Sequence, residues 1–220
     1  MHTPLFKVSK TQPGSVNLFS TVVNSSYAAH TKYAFALVET VAIAKLQCQG
    51  LTYEAIRQQV VVDDLLQIRS QASRQGAIRT IWQRLEKLPI EYIQLIAMGH
   101  LDVRRFTVLL AILLQNRLLR ELIDDVLRDK VKQFERVVKP ADLRGFFEGK
   151  RAESQTLANW SEATYQKSSS NTVSVLVSAG LLQPMKPKGT YEIRVTPVPI
   201  ALKQQLIADG LEQFLLLMLD

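Results

Sequence analysis

Residues 101–134 read LDVRRFTVLLAILLQNRLLRELIDDVLRDKVKQF, and this stretch restricts the fold more than any other. A helical period runs through it, and around VLLAILL at 108–114 apolar side chains occupy every side of the helical wheel. A helix apolar all round is stable only between neighbours. The run is far shorter than the ~20 residues that cross a bilayer, and LLLML at 215–219 is shorter still. The chain is therefore expected to build a multi-helical soluble body around this stretch, broken at most once between Leu101 and Phe134.

The sequence on either side supplies the neighbours. From Tyr33 the pattern is helical, with Gly50 in position to end the helix and Thr52 to cap the next, where Leu51 and Ile56 stand as a hydrophobic staple. VVDDLLQI at 61–68 makes a turn, and a third helix is predicted from about Ser70 to Leu88. On its wheel Ala77, Ile78, Ile81, Leu85 and Leu88 face one way. Arg69, Ser73, Gly76, Thr80, Gln83 and Lys87 form the opposite, small polar face, with Arg84 close to it. A glycine inside a helix costs about 0.5–1 kcal/mol relative to alanine, so Gly76 marks a close approach. Nucleic acid or another helix would use it equally well. Arg74 lies near the apolar side, where Asp63 or Asp64 can pair with it.

The last third has a different texture. After Pro140, ADLRGFFEGKRA and QTLANW read as helices, and Ser161 caps EATYQKSSSNTVSVLVSAG, which ends at Gly180. A hairpin follows, LLQPM and YEIRV around the loop KPKGT. Three helices followed by a hairpin is the order of a winged helix. Thr164, Lys167, Asn171, Ser174 and Ser178 are predicted to share the outward face of the third helix, with Val173, Leu176 and Val177 inward. Such side chains can donate to phosphates, and Asn171 can pair with the edge of an adenine. Lys186 and Lys188 put two ammonium groups at the hairpin tip, where a wing meets a duplex backbone. The competing reading is a winged helix used for protein contact.

The formal net charge is +7, and the surplus sits mainly before residue 89. That balance favours a polyanionic partner. Enzymatic readings have little to stand on. His2, His30 and His100 are isolated, Cys48 is the single cysteine, Asp63-Asp64 and Asp124-Asp125 read as turn or helix carboxylates, and there is no glycine-rich phosphate loop. No catalytic residue, metal or other cofactor is expected. The first residues, MHTPLFKVSKTQPGS, lack the apolar core of a signal peptide, so the expected location is cytoplasmic.

Residues 33–89 resemble the start of the BrxA proteins of bacteriophage exclusion (BREX) systems. The matching landmarks are Glu39-Thr40, Gly50-Leu51, the turn from Leu65-Leu66-Gln67 to Arg69-Ser70, and Arg84-Leu85. DLRGFFEGK at 142–150 and WSEATYQKSSSNTVSVLVSAGLL at 160–182 fit the same family pattern, although SSSN stands where more basic and apolar residues are usual. The resemblance implies a non-catalytic subunit of a phage-defence system that separates self from foreign DNA by methylation. Its partners would be the BREX methyltransferase, the ATPase, the phosphatase-like protein and BrxB.

The expected fold is therefore mostly α. It comprises an arm over 1–32, a helical part over 33–139 with a helix-turn-helix-like unit at 33–89, and a winged-helix-like part over 140–220 with C-terminal helices. The expected function is binding of double-stranded DNA, mainly through phosphates, by a monomer or weak oligomer. The residues expected at the interface are Arg69, Ser73, Gly76, Thr80, Arg84, Lys87, Lys167, Asn171, Lys186 and Lys188. An adaptor that joins other defence proteins without touching DNA is the alternative, and an apolar patch around Trp82 or Trp160 would favour it. Recognition of folded RNA by the same basic surface is a third reading.

Overall fold

The computed structural model describes residues 26–220; residues 1–25, most of the expected arm, lie outside the described part. The fold is mostly α-helical with a β-hairpin, as the sequence predicts, and a further short strand makes the hairpin a three-stranded antiparallel sheet. Four helices lead up to the apolar stretch and enter it: α1 Leu37–Cys48, α2 Tyr53–Val61, α3 Gln71–Leu85 and α4 Ile90–Met98, followed by α5 Leu101–Leu113. From Phe106 to Leu113 every residue of α5 is buried, and α1, α3 and α4 all pack on it. The all-round apolar pattern is thus explained by neighbours on every side.

Local chemistry sets most of the ends. Gly50 adopts φ 81° after α1, a left-handed value that glycine takes without penalty. The Thr52 hydroxyl accepts the Ala55 N–H at 3.4 Å, so the predicted N-cap is present, and the Ser70 hydroxyl caps α3 by accepting the Ser73 N–H at 3.1 Å. The start of α1 differs from expectation. Tyr33 and Ala36 sit at φ 49° and 53°, which breaks the helical path, and residues 27–36 run instead as an extended strap that joins α1 only at Leu37.

The long stretch breaks at Asn116, whose side chain accepts the Leu119 N–H at 3.0 Å and starts α6, Arg117–Leu122. Ile123–Arg128 then widens into a π-helical segment before α7, Asp129–Lys132. The widening is invisible in the apolar period. Beyond it lie β1 Val137–Val138, α8 Pro140–Glu153, α9 Gln155–Ala158, α10 Glu162–Ala179, β2 Leu182–Met185 and β3 Thr190–Ile193. The Ser161 hydroxyl caps α10 by accepting the Thr164 N–H at 3.2 Å, and Gly180 ends it at φ 84°.

The strand order is β1-β3-β2, with Val138 opposite Tyr191 and Gln183 opposite Glu192. Strand β1 precedes residue 140, so the order around the sheet is helix, strand, helices, hairpin. Two residues are too short a run to read as a strand from sequence. The C-terminal helices α11, Ile200–Ala208, and α12, Gln213–Leu217, turn back: α11 packs on α4 and α5, and α12 on the π-helical segment. The Tyr92 hydroxyl donates to Asp209 at 2.6 Å and pins that return. Buried apolar side chains run as one cluster from Phe35 to Leu219. No helix among the described residues is long and apolar enough to cross a membrane.

Candidate nucleic-acid interface

Helix α10 turns Lys167, Ser170, Ser174 and Ser178 outward, a row with steps of three or four residues. Its inner side buries Tyr165, Thr172, Val175, Leu176 and Ala179. Between the row and the hairpin lies a groove of about 660 Å³, with Val173 and Val177 on the helix side and Pro184, Met185 and Tyr191 on the strand side. Lys186 and Lys188 stand at the hairpin end of this groove, both exposed. Neither makes an ion pair with a described residue. Gly189, at φ 86°, fixes the tip: a Cβ built on it would come within 3.3 Å of Pro140 Cγ at the start of α8. The tip therefore packs beside Lys139, a third exposed ammonium, which directly follows Val138 and its partner Tyr191. Hydroxyls and ammonium groups around an open groove are hydrogen-bond donors of the kind that anions accept from.

Two residues expected on the interface are elsewhere. Asn171 is only 8% exposed, and its side-chain amide donates to the His30 carbonyl at 2.9 Å. Arg84 is 5% exposed and donates to the carbonyls of Tyr33 at 2.5 Å, Phe35 at 3.1 Å and Ala34 at 3.3 Å. Burial lowers its pKa to about 10. Both side chains are thus committed to the same strap. A wheel cannot reveal this, because it reports which side of a helix is polar and not that another segment of the chain covers that side.

Gly76 is corrected in the same way. The Tyr33 ring lies against it, with Cε2 3.4 Å from where a Cβ would sit, and the Tyr33 hydroxyl donates to the Ser73 carbonyl at 2.5 Å. The glycine admits the chain's own aromatic ring and leaves no room there for a duplex. Ser73 and Thr80 are half-buried, while Arg69 and Lys87 are exposed as predicted. Arg74 pairs with Asp64 at 3.2 Å, one of the two partners foreseen. Trp82 and Trp160 are partly buried against the core, Trp82 beside Tyr53 with ring centroids 4.9 Å apart, so neither forms an exposed patch.

The sequence does not announce the strap as a structural device. Its signal is the spacing of Tyr27, His30 and Tyr33, three ring-bearing residues in a segment with no helical period. Tyr27 donates to Glu121 at 2.7 Å, while the Arg117 guanidinium lies 4.4 Å above its ring. Burial raises the Glu121 pKa, but hydrogen bonds from Arg117 and Tyr27 and the charge of Lys150 outweigh it and leave the carboxyl below its ordinary value. Burial, and then the charge of Arg84, push His30 below its ordinary 6.5, against a weaker opposing hydrogen bond with the Gln115 backbone. Cys48 is pushed up by burial, which keeps it a thiol.

Likenesses to known proteins come from a family model, a relative and a solved structure. The family model BrxA matches residues 26–207. A protein of Bacillus cereus (strain H3081.97), "BREX protein BrxA", is 22% identical over 163 residues, 74% of this chain and 82% of the relative. The crystal structure of an uncharacterized protein from Magnetospirillum magneticum superposes with a TM-score of 0.69 at 23% identity, over 84% of this chain and 93% of that one, and so shares the fold.

Proposed function

The chain belongs to the BrxA family, and from that premise we propose that it serves a BREX phage-defence system as the non-catalytic subunit that holds double-stranded DNA. The observation that carries this reading is the groove between α10 and the hairpin, with Ser170, Ser174 and Ser178 on one side and Lys186 and Lys188 on the other; exposed Lys167 continues the serine row one turn earlier on α10. The order of helix, strand, helices and hairpin supports a winged-helix mode of contact, with α10 against the duplex and the hairpin tip on the adjoining backbone. Hydroxyl and ammonium donors suit phosphate oxygens. With Asn171 committed to His30, the outward row lacks the bidentate partners that read base edges, so sequence preference is weak.

Of the interface residues read from sequence, Lys186 and Lys188 line the groove, Lys167 is exposed on α10 in the row that leads to it, and Arg69 and Lys87 remain as outlying cations. Arg84, Asn171 and Gly76 do not. The test is photo-crosslinking of the protein to a random duplex with halogenated thymines, followed by mass spectrometry. Crosslinked peptides from 160–194 support the reading; crosslinks confined to other segments contradict it.

The adaptor reading keeps one observation of its own. Phe134 is 94% exposed at φ 61°, at the turn between α7 and β1. A bulky residue there is unfavourable both as backbone and as surface, which is how partner contacts are often made. Under this reading Phe134→Ala abolishes co-elution with another BREX subunit, and duplex crosslinking is never seen.

A further inference from the structure

The strap does more than fasten two helices together. Its His30 carbonyl is bonded to Asn171 on α10, and its Tyr33 hydroxyl is bonded to the Ser73 carbonyl on α3. The chain between His30 and Tyr33 spans at most about 10 Å, so α10 and the start of α3 are held close on either side of it. Between these two anchors sits Lys32, exposed and without an ion pair to any described residue. Lys167 is one helical turn before Asn171, and Arg69 directly precedes Ser70, the N-cap of α3, four residues before Ser73; both are exposed and likewise unpaired. Asp64 is occupied by Arg74 and Glu162 by Arg151, while Asp63, next to Asp64, is exposed and makes no ion pair with a described residue.

From this juxtaposition we infer that the strap is itself part of the DNA-binding face: Lys32 carries the basic track from Lys167 on α10 across to Arg69 at the start of α3. The inference rests on the reading of α10 and the hairpin as a duplex-binding surface and extends it away from the hairpin. The occupant is the phosphate backbone of double-stranded DNA. Three unpaired cations on successive elements match a polyanion with one phosphate about every 3.4 Å of axis per strand, and the track continues the surface that Lys186 and Lys188 begin. It also gives the burial of Asn171 and Arg84 a use. They hold in place the segment that presents Lys32.

The experiment is fluorescence anisotropy of the full chain with a labelled random duplex at several salt concentrations. It compares the wild type with K32A/R69A, K186A/K188A and, as a control for charge alone, K45A on α1. All these side chains are exposed, so melting temperatures should match and confirm that folding is unaffected. K32A/R69A is expected to lower the slope of log affinity against log salt by about 0.9 for each phosphate that is no longer neutralised, with K45A unchanged. A wild-type slope in K32A/R69A beside a reduced one in K186A/K188A overturns the strap inference and leaves the hairpin reading standing. Absence of salt-dependent duplex binding by the wild type overturns both. Tighter binding of single-stranded RNA with the same dependence on Lys32 overturns the duplex as occupant.

Discussion

Arg84 shows how the residue scale decides the molecule's layout. A shift from 12.5 to about 10 corresponds to a burial cost of about 3 kcal/mol, which three charge-assisted hydrogen bonds at about 1.5–3 kcal/mol each exceed. Replacing it with methionine strips the donors from three strap carbonyls. Arg84→Met should therefore lower stability by about 2 kcal/mol, measured by urea unfolding. His30 makes the strap sensitive to acid. Its folded pKa lies below 6.5, so as pH falls through 6.5 the unfolded chain takes up the proton first and stability declines. Above 6.5 both states are neutral at this residue, and it contributes no pH dependence. Losses from Glu121, Asp142 and Asp220, whose carboxyl pKa values are also lowered, begin only near the ordinary carboxylate values of 4.5 and 3.8. Thermal melts from pH 7 to pH 5 should show a decline in the wild type that is absent in His30→Gln.

At the scale of elements, the turn after α7 departs from local preference. The Glu135 N–H bonds the Lys130 carbonyl and the Phe134 N–H bonds that of Val131, the pattern in which glycine normally takes the left-handed position. Phe134→Gly should stabilise the isolated protein by about 0.5–1 kcal/mol, read from the same urea titration, and leave DNA affinity unchanged. Elements whose signals are local were legible in the sequence: caps at Thr52 and Ser161, the start of α3 near Ser70, stops at Gly50 and Gly180, and the hairpin around Lys186 to Gly189. What failed depends on distant partners. Strand β1 exists because Val137 and Val138 meet β3, more than fifty residues later, and residues 33–36 leave the helix because Arg84 and Ser73 hold them. The candidate site divides the same way. Lys167, Lys186 and Lys188 are where their own helix and turn put them; Arg84, Asn171 and Gly76 were misread because the strap covers polar faces that a wheel leaves open.

At the scale of the whole molecule, α5 is the axis on which the rest is assembled. The strap ties the α3 side to the α10 side, α11 and α12 close the far side, and the exposed lysines of α10 and the hairpin face outward from a single core. Such a body presents its groove and exposed lysines on the same core that the other helices share. Direct binding to the duplex by phosphate contact is the central claim, and the most direct measurement is the affinity of the wild-type protein for a random-sequence duplex across a salt series. Phosphate contact predicts a linear fall of log affinity with log salt, nearly equal for unrelated sequences and steeper than for single strands of the same length. Affinity that is absent at low salt, or insensitive to salt where present, would contradict it.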